Sequence, residues 1–364
     1  MPEHAPTHAI VLAAGEGSRM RSERPKPLHR LCGRPMLMYV LDALAGCGLD
    51  VATIVVGHKA DWVTKKVGEE DVGFALEFVE QRVRRGTGDA TLIGLVGLPD
   101  DEEDSDVVVV PGDTPLLRSE TLARLVQRHR DSDAAATVLS MRVSGDSAYG
   151  RVVRGKEGRV VRIVEQQDAG EEELAIDEVN TSVYCFRRSV LAPALRRIGP
   201  DNAQGEYYHT DVIEVLSGAG YAVESVLVDD PIETAGVNDR LQLAVAEAEL
   251  RRRTNERLLR SGVTMLDPTN TFVDTTVRVG QDVTLFPGTL LQGDTTIGDG
   301  TEIGPNTRLD DCRVGSACVV ENSTGRRATI GDSAHVGPYA VLAPGADIPA
   351  NHRTGPFYNS TATG

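Results

Sequence analysis

Short apolar runs alternate with amphipathic ones along the N-terminal part of the chain. Ala9–Ala13, Ala52–Val56, Ala75–Val79 and Val107–Val110 read as buried strands, whereas Pro35–Ala45, Thr87–Val96 and Glu120–Arg130 carry apolar positions at helical spacing. This alternation predicts βαβ units and a mostly parallel sheet. Glycine- or acid-bearing turns follow several of the strands, at Gly15–Gly17, Gly57 and Gly112–Asp113. Open α/β sheets bind ligands beyond the carboxyl ends of their strands, so these turns are where chemistry is expected.

From Arg240 to Leu259 the text changes to one charged helical stretch without Gly or Pro, which stops at Gly262. Beyond it, aliphatic residues recur at every sixth position: Val279, Leu285, Leu291, Ile297, Ile303 and Leu309, then Ile330, Val336, Leu342 and Ile348. Each hexapeptide of such a repeat is one short strand plus one turn, and stacked coils bury the aliphatic ladder in a parallel β-helix. The interval from Leu309 to Ile330 falls out of phase, which predicts a loop or broken coil there. The expected organisation is an N-terminal domain over 1–239, a connecting helix over 240–262 and a short hexapeptide-repeat β-helix over 263–364.

Composition narrows the function classes. Apolar residues make up 40 % and charged residues 25 %, the balance of a globular protein. A net charge of −16 argues against general nucleic-acid binding, which needs a basic footprint. An acidic protein handling anions must gather positive charge locally or borrow it from a metal ion. The five cysteines form no Cys-x-x-Cys pair, and the eight histidines form no metal motif. The run Ala9–Ala14 is too short for a signal-peptide core, and no stretch approaches the ~20 apolar residues of a membrane span. The expectation is a soluble, cytoplasmic protein with no nucleic-acid or membrane partner.

The strongest local signal is Leu12–Lys26, in which a strand ending at Ala13 runs into a Gly15-x-Gly17 turn, with Arg19 and Lys26 beyond it. Backbone N–H groups in such a turn can point at phosphate oxygens, because Gly accepts the dihedrals and the close approach this requires. The two commoner phosphate motifs are absent: Met20 stands where the dinucleotide fingerprint has its third Gly, and no Gly-Lys-Ser/Thr follows. A Gly-x-Gly alone is weak; joined to Arg19 and Lys26 it becomes specific.

With Pro25-Lys-Pro-Leu-His29 and Gly33-Arg-Pro-Met36 after it, this segment resembles the signature of the sugar nucleotidyltransferases. More closely it is similar to the bacterial N-acetylglucosamine-1-phosphate uridylyltransferases, the bifunctional uridylyltransferase/glucosamine-1-phosphate acetyltransferase family. Gln81 with Gly86-Thr-Gly88, Gly112-Asp-Thr-Pro115, Tyr149-Gly-Arg151, Ile163-Val-Glu165, Glu178-Val-Asn-Thr181, Asn202–Asp211 and Gly236–Gln242 carry the closer match. The most specific run is Gln204–Tyr208. The resemblance implies a Rossmann-like α/β nucleotidyltransferase domain with a mixed, mostly parallel sheet, followed by a short left-handed parallel β-helix. It also implies Mg²⁺ as cofactor, UTP and a sugar 1-phosphate as substrates, a homotrimer assembled through the β-helix, and a part in making a cell-wall precursor.

Roles follow residue by residue from the resemblance. Leu12, Ala13, Ala14, Gly15 and Gly17 would hold the nucleotide with Gln81, Gly86 and Thr87. Gln81 would hydrogen-bond the pyrimidine, an amide offering donor and acceptor, while a plain helix start is the competing reading of Gly86 and Thr87. Arg19 and Lys26 would be catalytic, stabilising the transferred charge. Asp113 and Asn238 match the magnesium ligands, although Asp113 also reads as a turn-former and Asn238 as a helix N-cap. Gly150, Glu165, Asn180, Tyr208 and Thr210 correspond to sugar-binding positions; Glu165 and Asn180 also read as ordinary strand polar residues.

The sequence departs from the family in places. Ala343 in Val341–Gly345 replaces an arginine, and no basic residue lies beyond Arg353, so the acetyltransferase activity is expected to be absent. Arg84-Arg85 replaces the usual Gln-Leu before Gly86, and Gln167 stands for a lysine after Glu165. Arg84 reads either as a further phosphate or base contact or as a solvated side chain. The acidic run Asp100–Asp106 reads as a solvated loop before a strand. Two rival readings stand beside the main one. One is a nucleotidyltransferase for another base or sugar, such as a glucose-1-phosphate thymidylyltransferase; the other is a non-catalytic nucleotide-sugar sensor.

Overall fold

A computed structural model describes residues 6–100, 104–145, 147–156 and 158–361. By contacts the chain divides into two compact units: one takes in residues up to His29 and Pro35–Gln242, the other Arg30–Arg34 and the residues from Leu243 onward.

The first unit is a nine-stranded sheet flanked by helices. Its strands are β1 (Thr7–Ala13), β2 (Val51–Val56), β3 (Ala75–Glu80), β4 (Asp106–Pro111), β5 (Ala136–Arg142), β6 (Arg151–Arg154), β7 (Val160–Val164), β8 (Glu178–Arg187) and β9 (Val223–Leu227). The helices are α1 (Met36–Ala45), α2 (Ala60–Gly68), α3 (Thr87–Val96), α4 (Ser119–Asp131), α5 (Glu171–Leu174), α6 (Arg188–Leu195) and α7 (Asp211–Gly218). The spatial order is β9-β5-β8-β4-β1-β2-β3, with β6 pairing β8 and β7 on the side. β8 runs antiparallel to β4, β5 and β6, and β6 is antiparallel to β7, while the remaining neighbours are parallel. The result is the mixed, Rossmann-like sheet that the family resemblance implies, with the parallel βαβ units that the alternation of runs predicts.

Helices on both faces explain the near-continuous apolar strands. In β1, Ala9, Val11 and Ala13 join the core cluster that holds Leu37, Leu41 and Leu44 of α1, while Ile10 joins the opposite cluster with Ala90 of α3 and Val212 of α7. The two-residue period of the strand thus feeds two separate cores. Gly94 of α3 lies against Ile10 and Val55, where a Cβ would come within 2.5 Å of the Ile10 side chain, so helix and sheet approach closely.

The acidic run before β4 is not simply a solvated loop. Asp106 is buried in the strand, with Arg130 Nε 2.6 Å from its carboxylate, and Asp104 accepts the Ser189 backbone N–H at 2.9 Å. Residues 101–103 of that run lie outside the described residues.

The helix α8 (Arg240–Arg260) leads into the second unit, whose three five-stranded parallel sheets form a left-handed β-helix. Register alignment gives three inward ladders. They are Met265–Leu285–Ile303–Val320–Val336, Val273–Leu291–Leu309–Gly325–Leu342, and Val279–Ile297–Val314–Ile330–Ile348. The loop expected between Leu309 and Ile330 is therefore absent: the coils run on unbroken through Val314, Val320 and Gly325. Three five-residue steps shift the phase there, and Gly325 occupies a ladder position with no side chain to count. Leu309 and Cys312 fill its place, lying 3.1 and 3.3 Å from where its Cβ would be. Buried threonines close coil corners; Thr289 Oγ1, for example, donates to the Ile303 carbonyl at 3.1 Å.

Among the described residues no helix is long and apolar enough to cross a membrane, and all five cysteines are free.

Candidate active site

The carboxyl ends of β1 and β4 lie side by side, and the turns after them open the main cavity of the first unit. It measures about 480 Å³ and is lined by Leu12, Ala14, Gly15, Gln81, Arg84, Gly86, Thr87, Pro111, Asp113, Tyr149, Gly236 and Asn238 among others. A second cavity of about 350 Å³ adjoins it, sharing Leu12, Thr87, Ser182 and Glu206 and adding Glu165, Gln167, Gln204, Tyr208 and Thr210. Together they form a cleft with room for two ligands.

The basic arm folds back onto this cleft. Gly17 has φ 66°, in the left-handed region, and its missing Cβ would stand 2.7 Å from Lys26 Cβ. A glycine is required there for the turn and for the seat of Lys26. The ammonium of Lys26 donates to the Asp113 carboxylate and, at 2.8 Å, to Asn238 Oδ1. Arg19 Nη2 donates to the same amide oxygen at 3.0 Å. Asp113 and Asn238 are themselves tied together: Val237 N–H donates to the Asp113 carbonyl at 2.8 Å, and Gln242 Oε1 accepts the Asn238 N–H at 2.7 Å. Arg19 and Lys26 of one segment thus meet Asp113 and Asn238, both remote in sequence, within one hydrogen-bonded group.

At one end of the main cavity, Gln81 continues from β3 and is buried, its backbone N–H donating to the Val56 carbonyl at 2.8 Å. Gly86 caps α3 with φ 111°, and a Cβ there would lie 2.5 Å from the Tyr207 carbonyl, which also accepts Gly88 N–H at 2.8 Å. The start of α3 is therefore laced to the Gln204–Tyr208 run. Thr87 Oγ1 accepts the His209 N–H at 3.0 Å, a link to the second cavity.

The second cavity is acidic. Thr210 Oγ1 donates to Glu165 Oε1 at 3.1 Å, and burial pushes the Glu165 carboxyl above its usual range. Gly150 lies against that carboxylate, with its Cβ position 3.4 Å away. Burial, reinforced by Asp168 and Glu165, holds the Tyr208 phenol up at about 12, so it is a neutral donor at physiological pH. Burial, then Glu214, Glu165 and Asp168, pushes Asp211 up to about 6.

Some expected residues are placed differently. Asn180 lines neither cavity: its Nδ2 donates to the Tyr184 hydroxyl at 2.7 Å and its Oδ1 accepts Ser182 N–H at 3.1 Å. It instead shapes a bulge between Asn180 and Val183, where Ser182 adopts φ 62° and both Thr181 and Ser182 turn into the cleft. Ala13 and Gly17, also expected at the nucleotide, line neither cavity. Arg84 is not simply solvated: it lines the main cavity and its Nη1 lies 2.8 Å from Glu16 Oε2. Sequence reasoning missed Glu16, Ser182, Glu206 and Asp89: Glu16 and Glu206 lie inside recognised runs and Ser182 and Asp89 just beyond them, but their positions depend on contacts remote in sequence.

Residues 9–212 match the MobA-like NTP transferase domain family, and with this cleft they define a nucleotidyltransferase. The chain is 43 % identical over 357 residues to the bifunctional protein GlmU of Corynebacterium aurimucosum, covering 98 % of this chain and 73 % of that protein. It is 44 % identical to the bifunctional protein GlmU of Pelotomaculum thermopropionicum and 41 % to that of Halalkalibacterium halodurans, in each case over 96 % of this chain and 75 % of the relative. The chain belongs to the family of the bifunctional GlmU proteins, the family its motifs resemble.

Proposed function

We propose that this nucleotidyltransferase joins UTP to N-acetylglucosamine 1-phosphate, forming UDP-N-acetylglucosamine and releasing pyrophosphate. The carrying observation is that Lys26 is held between the Asp113 carboxylate and the Asn238 amide oxygen at the mouth of the Gly15–Gly17 cradle. In this reading the main cavity takes the uridine nucleotide, with Gln81, Gly86 and Thr87 at the base and Leu12–Gly17 along the phosphates. Glu165, Tyr208 and Thr210 face the N-acetylated sugar from the second cavity, and Gly150 leaves room for the Glu165 carboxylate. Asn180 acts by holding the bulge that presents Ser182.

The transfer needs no side-chain nucleophile. An oxygen of the sugar phosphate attacks the α-phosphorus, the new P–O bond forms as the bond to the β-phosphate oxygen breaks, and the electron pair leaves with pyrophosphate. A phosphate monoester with a second pKa of about 6 is already mostly dianionic at neutral pH, so no general base is required. Lys26 and Arg19 place positive charge where the transferred phosphoryl and the leaving pyrophosphate develop negative charge.

Asp113 and Asn238 fit a divalent cation: two oxygen donors already converge on a cationic group, the Lys26 ammonium, and oxygen ligands suit Mg²⁺. When bound, Mg²⁺ would neutralise phosphate charge and orient the reacting groups. Lys26 would then be displaced from between the two oxygens toward substrate phosphate.

Ala343 supports assigning one transfer to this chain and no acetyl transfer. We assign the β-helix to assembly as a homotrimer, which light scattering of the purified protein tests: a monomeric mass would exclude it. Pyrophosphate release with UTP, N-acetylglucosamine 1-phosphate and Mg²⁺ tests the transfer itself. A glucose-1-phosphate thymidylyltransferase would prefer dTTP, and a sensor would bind nucleotide without releasing pyrophosphate.

A further inference from the structure

Resting on the uridylyl-transfer reading, we infer that Asp89 sets the base preference of the nucleotide cavity by locking the orientation of the Gln81 amide. Gln81 Nε2 lies 2.8 Å from Asp89 Oδ2 and 3.2 Å from the Gly86 carbonyl oxygen. Both neighbours are acceptors, a carboxylate and a carbonyl, so the NH₂ end of the amide must face them. An NH₂ group has two protons, and these two bonds use both. Among the described residues no donor is bonded to Gln81 Oε1, and Gln81 lines the main cavity.

The side chain that could read a base as donor and acceptor together is therefore reduced to a single acceptor. Uracil answers a lone acceptor with its N3–H. Cytosine in the same place presents an unprotonated N3, so two lone pairs meet, or it must slide along its edge to bring the N4 amine there. A freely turning glutamine would meet cytosine N3 with its NH₂ instead. Asp89 thus acts through Gln81: it is a positioning residue, supplied from the first turn of α3, and the charge of its carboxylate makes the bond stronger than a neutral one.

The experiment compares UTP with CTP on wild type, Asp89→Ala and Asp89→Asn, by kcat/KM for pyrophosphate release and by calorimetric binding of each nucleotide with Mg²⁺. Wild type is expected to favour UTP. Asp89→Ala should shrink the UTP-over-CTP ratio roughly tenfold, chiefly through KM for UTP, the scale of one lost hydrogen bond with its mismatch. Asp89→Asn keeps an acceptor oxygen and should restore most of the ratio. A merely structural role would weaken both nucleotides alike and leave the ratio in place; that result, with both variants folded by circular dichroism, overturns the inference. Uridine-selective binding without turnover in wild type would overturn the transferase reading while the Asp89 ratio is still read from binding. A wild type that does not discriminate between the two nucleotides overturns the inference as well.

Discussion

Lys26 Nζ lies 2.8 Å from Asn238 Oδ1 while also bonded to the Asp113 carboxylate, so one ammonium gathers two oxygens that stand 212 and 87 residues away in sequence. The arrangement keeps a cation at a place where the proposed reaction concentrates negative charge. It also holds in place the two oxygens proposed above as metal ligands, the kind of preorganisation on which electrostatic catalysis depends.

Removing the ammonium should therefore injure chemistry more than folding. Lys26→Ala is expected to lower kcat for pyrophosphate release by roughly 10²–10³-fold, the scale of losing one charged group aimed at the transition state. The melting temperature should move by no more than about 4 °C, since a partly exposed ion pair contributes roughly 1 kcal/mol or less. A kcat within a few-fold of wild type would contradict the role.

Gly17→Ala tests the seat of that lysine. Its φ of 66° costs a side-chain-bearing residue about 1–2 kcal/mol, and the new methyl would stand 2.7 Å from Lys26 Cβ. Urea unfolding should show a loss of at least that size, with turnover down about tenfold or more as Lys26 is displaced. Nothing lies within 4 Å of a Cβ at Gly15, so Gly15→Ala should retain wild-type stability, and equal losses at both sites would refute the argument.

Asp211 predicts a pH signature. Burial and the Glu214, Glu165 and Asp168 carboxylates raise its folded pKa to about 6 from 3.8. The folded state then binds more protons than the unfolded one between those values, so this group makes stability fall as pH rises from about 4 to about 6. Asp211→Asn should remove that part of the slope and raise the melting temperature at pH 7.5 by about 2–4 °C, the shift that ~1 kcal/mol gives a domain of this size. An unchanged slope in thermal melts between pH 4 and 7 would count against it.

In the β-helix, Leu309 is fully buried and stacked between Leu291 and Gly325. Leu309→Ala beside a glycine leaves a gap with no side chain from Gly325 to close it, and should destabilise the protein by about 2–5 kcal/mol. Chemical denaturation measures this; a loss below ~1 kcal/mol would mean that the ladder is not the core it is taken to be.

Much of the fold was legible because burial on both faces forces strands such as Val107–Val110 to be apolar throughout, and because the β-helix ladder repeats a single physical unit. The antiparallel insertion of β8 between β4 and β5 was not, since pairing of remote strands leaves no local period. The supposed break after Leu309 was misread because five-residue steps and a glycine in the ladder erase a count of aliphatic side chains without erasing the coil. At the site, Lys26 and Asp113 stood out through glycine-bearing turns whose local chemistry is distinctive. Asn180 was assigned to the sugar although it lines neither cavity and its amide bonds Tyr184 and Ser182, and Asp89 went unnoticed. Both depend on which way an amide points, which no linear pattern records.

The most direct test of the central claim is pyrophosphate release measured across a panel of nucleoside triphosphates and sugar 1-phosphates, with and without Mg²⁺. The account predicts rapid release for UTP with N-acetylglucosamine 1-phosphate, lost on chelation and regained when Mg²⁺ is added back. Silence across the whole panel, or a clear preference for another base and sugar, would contradict it.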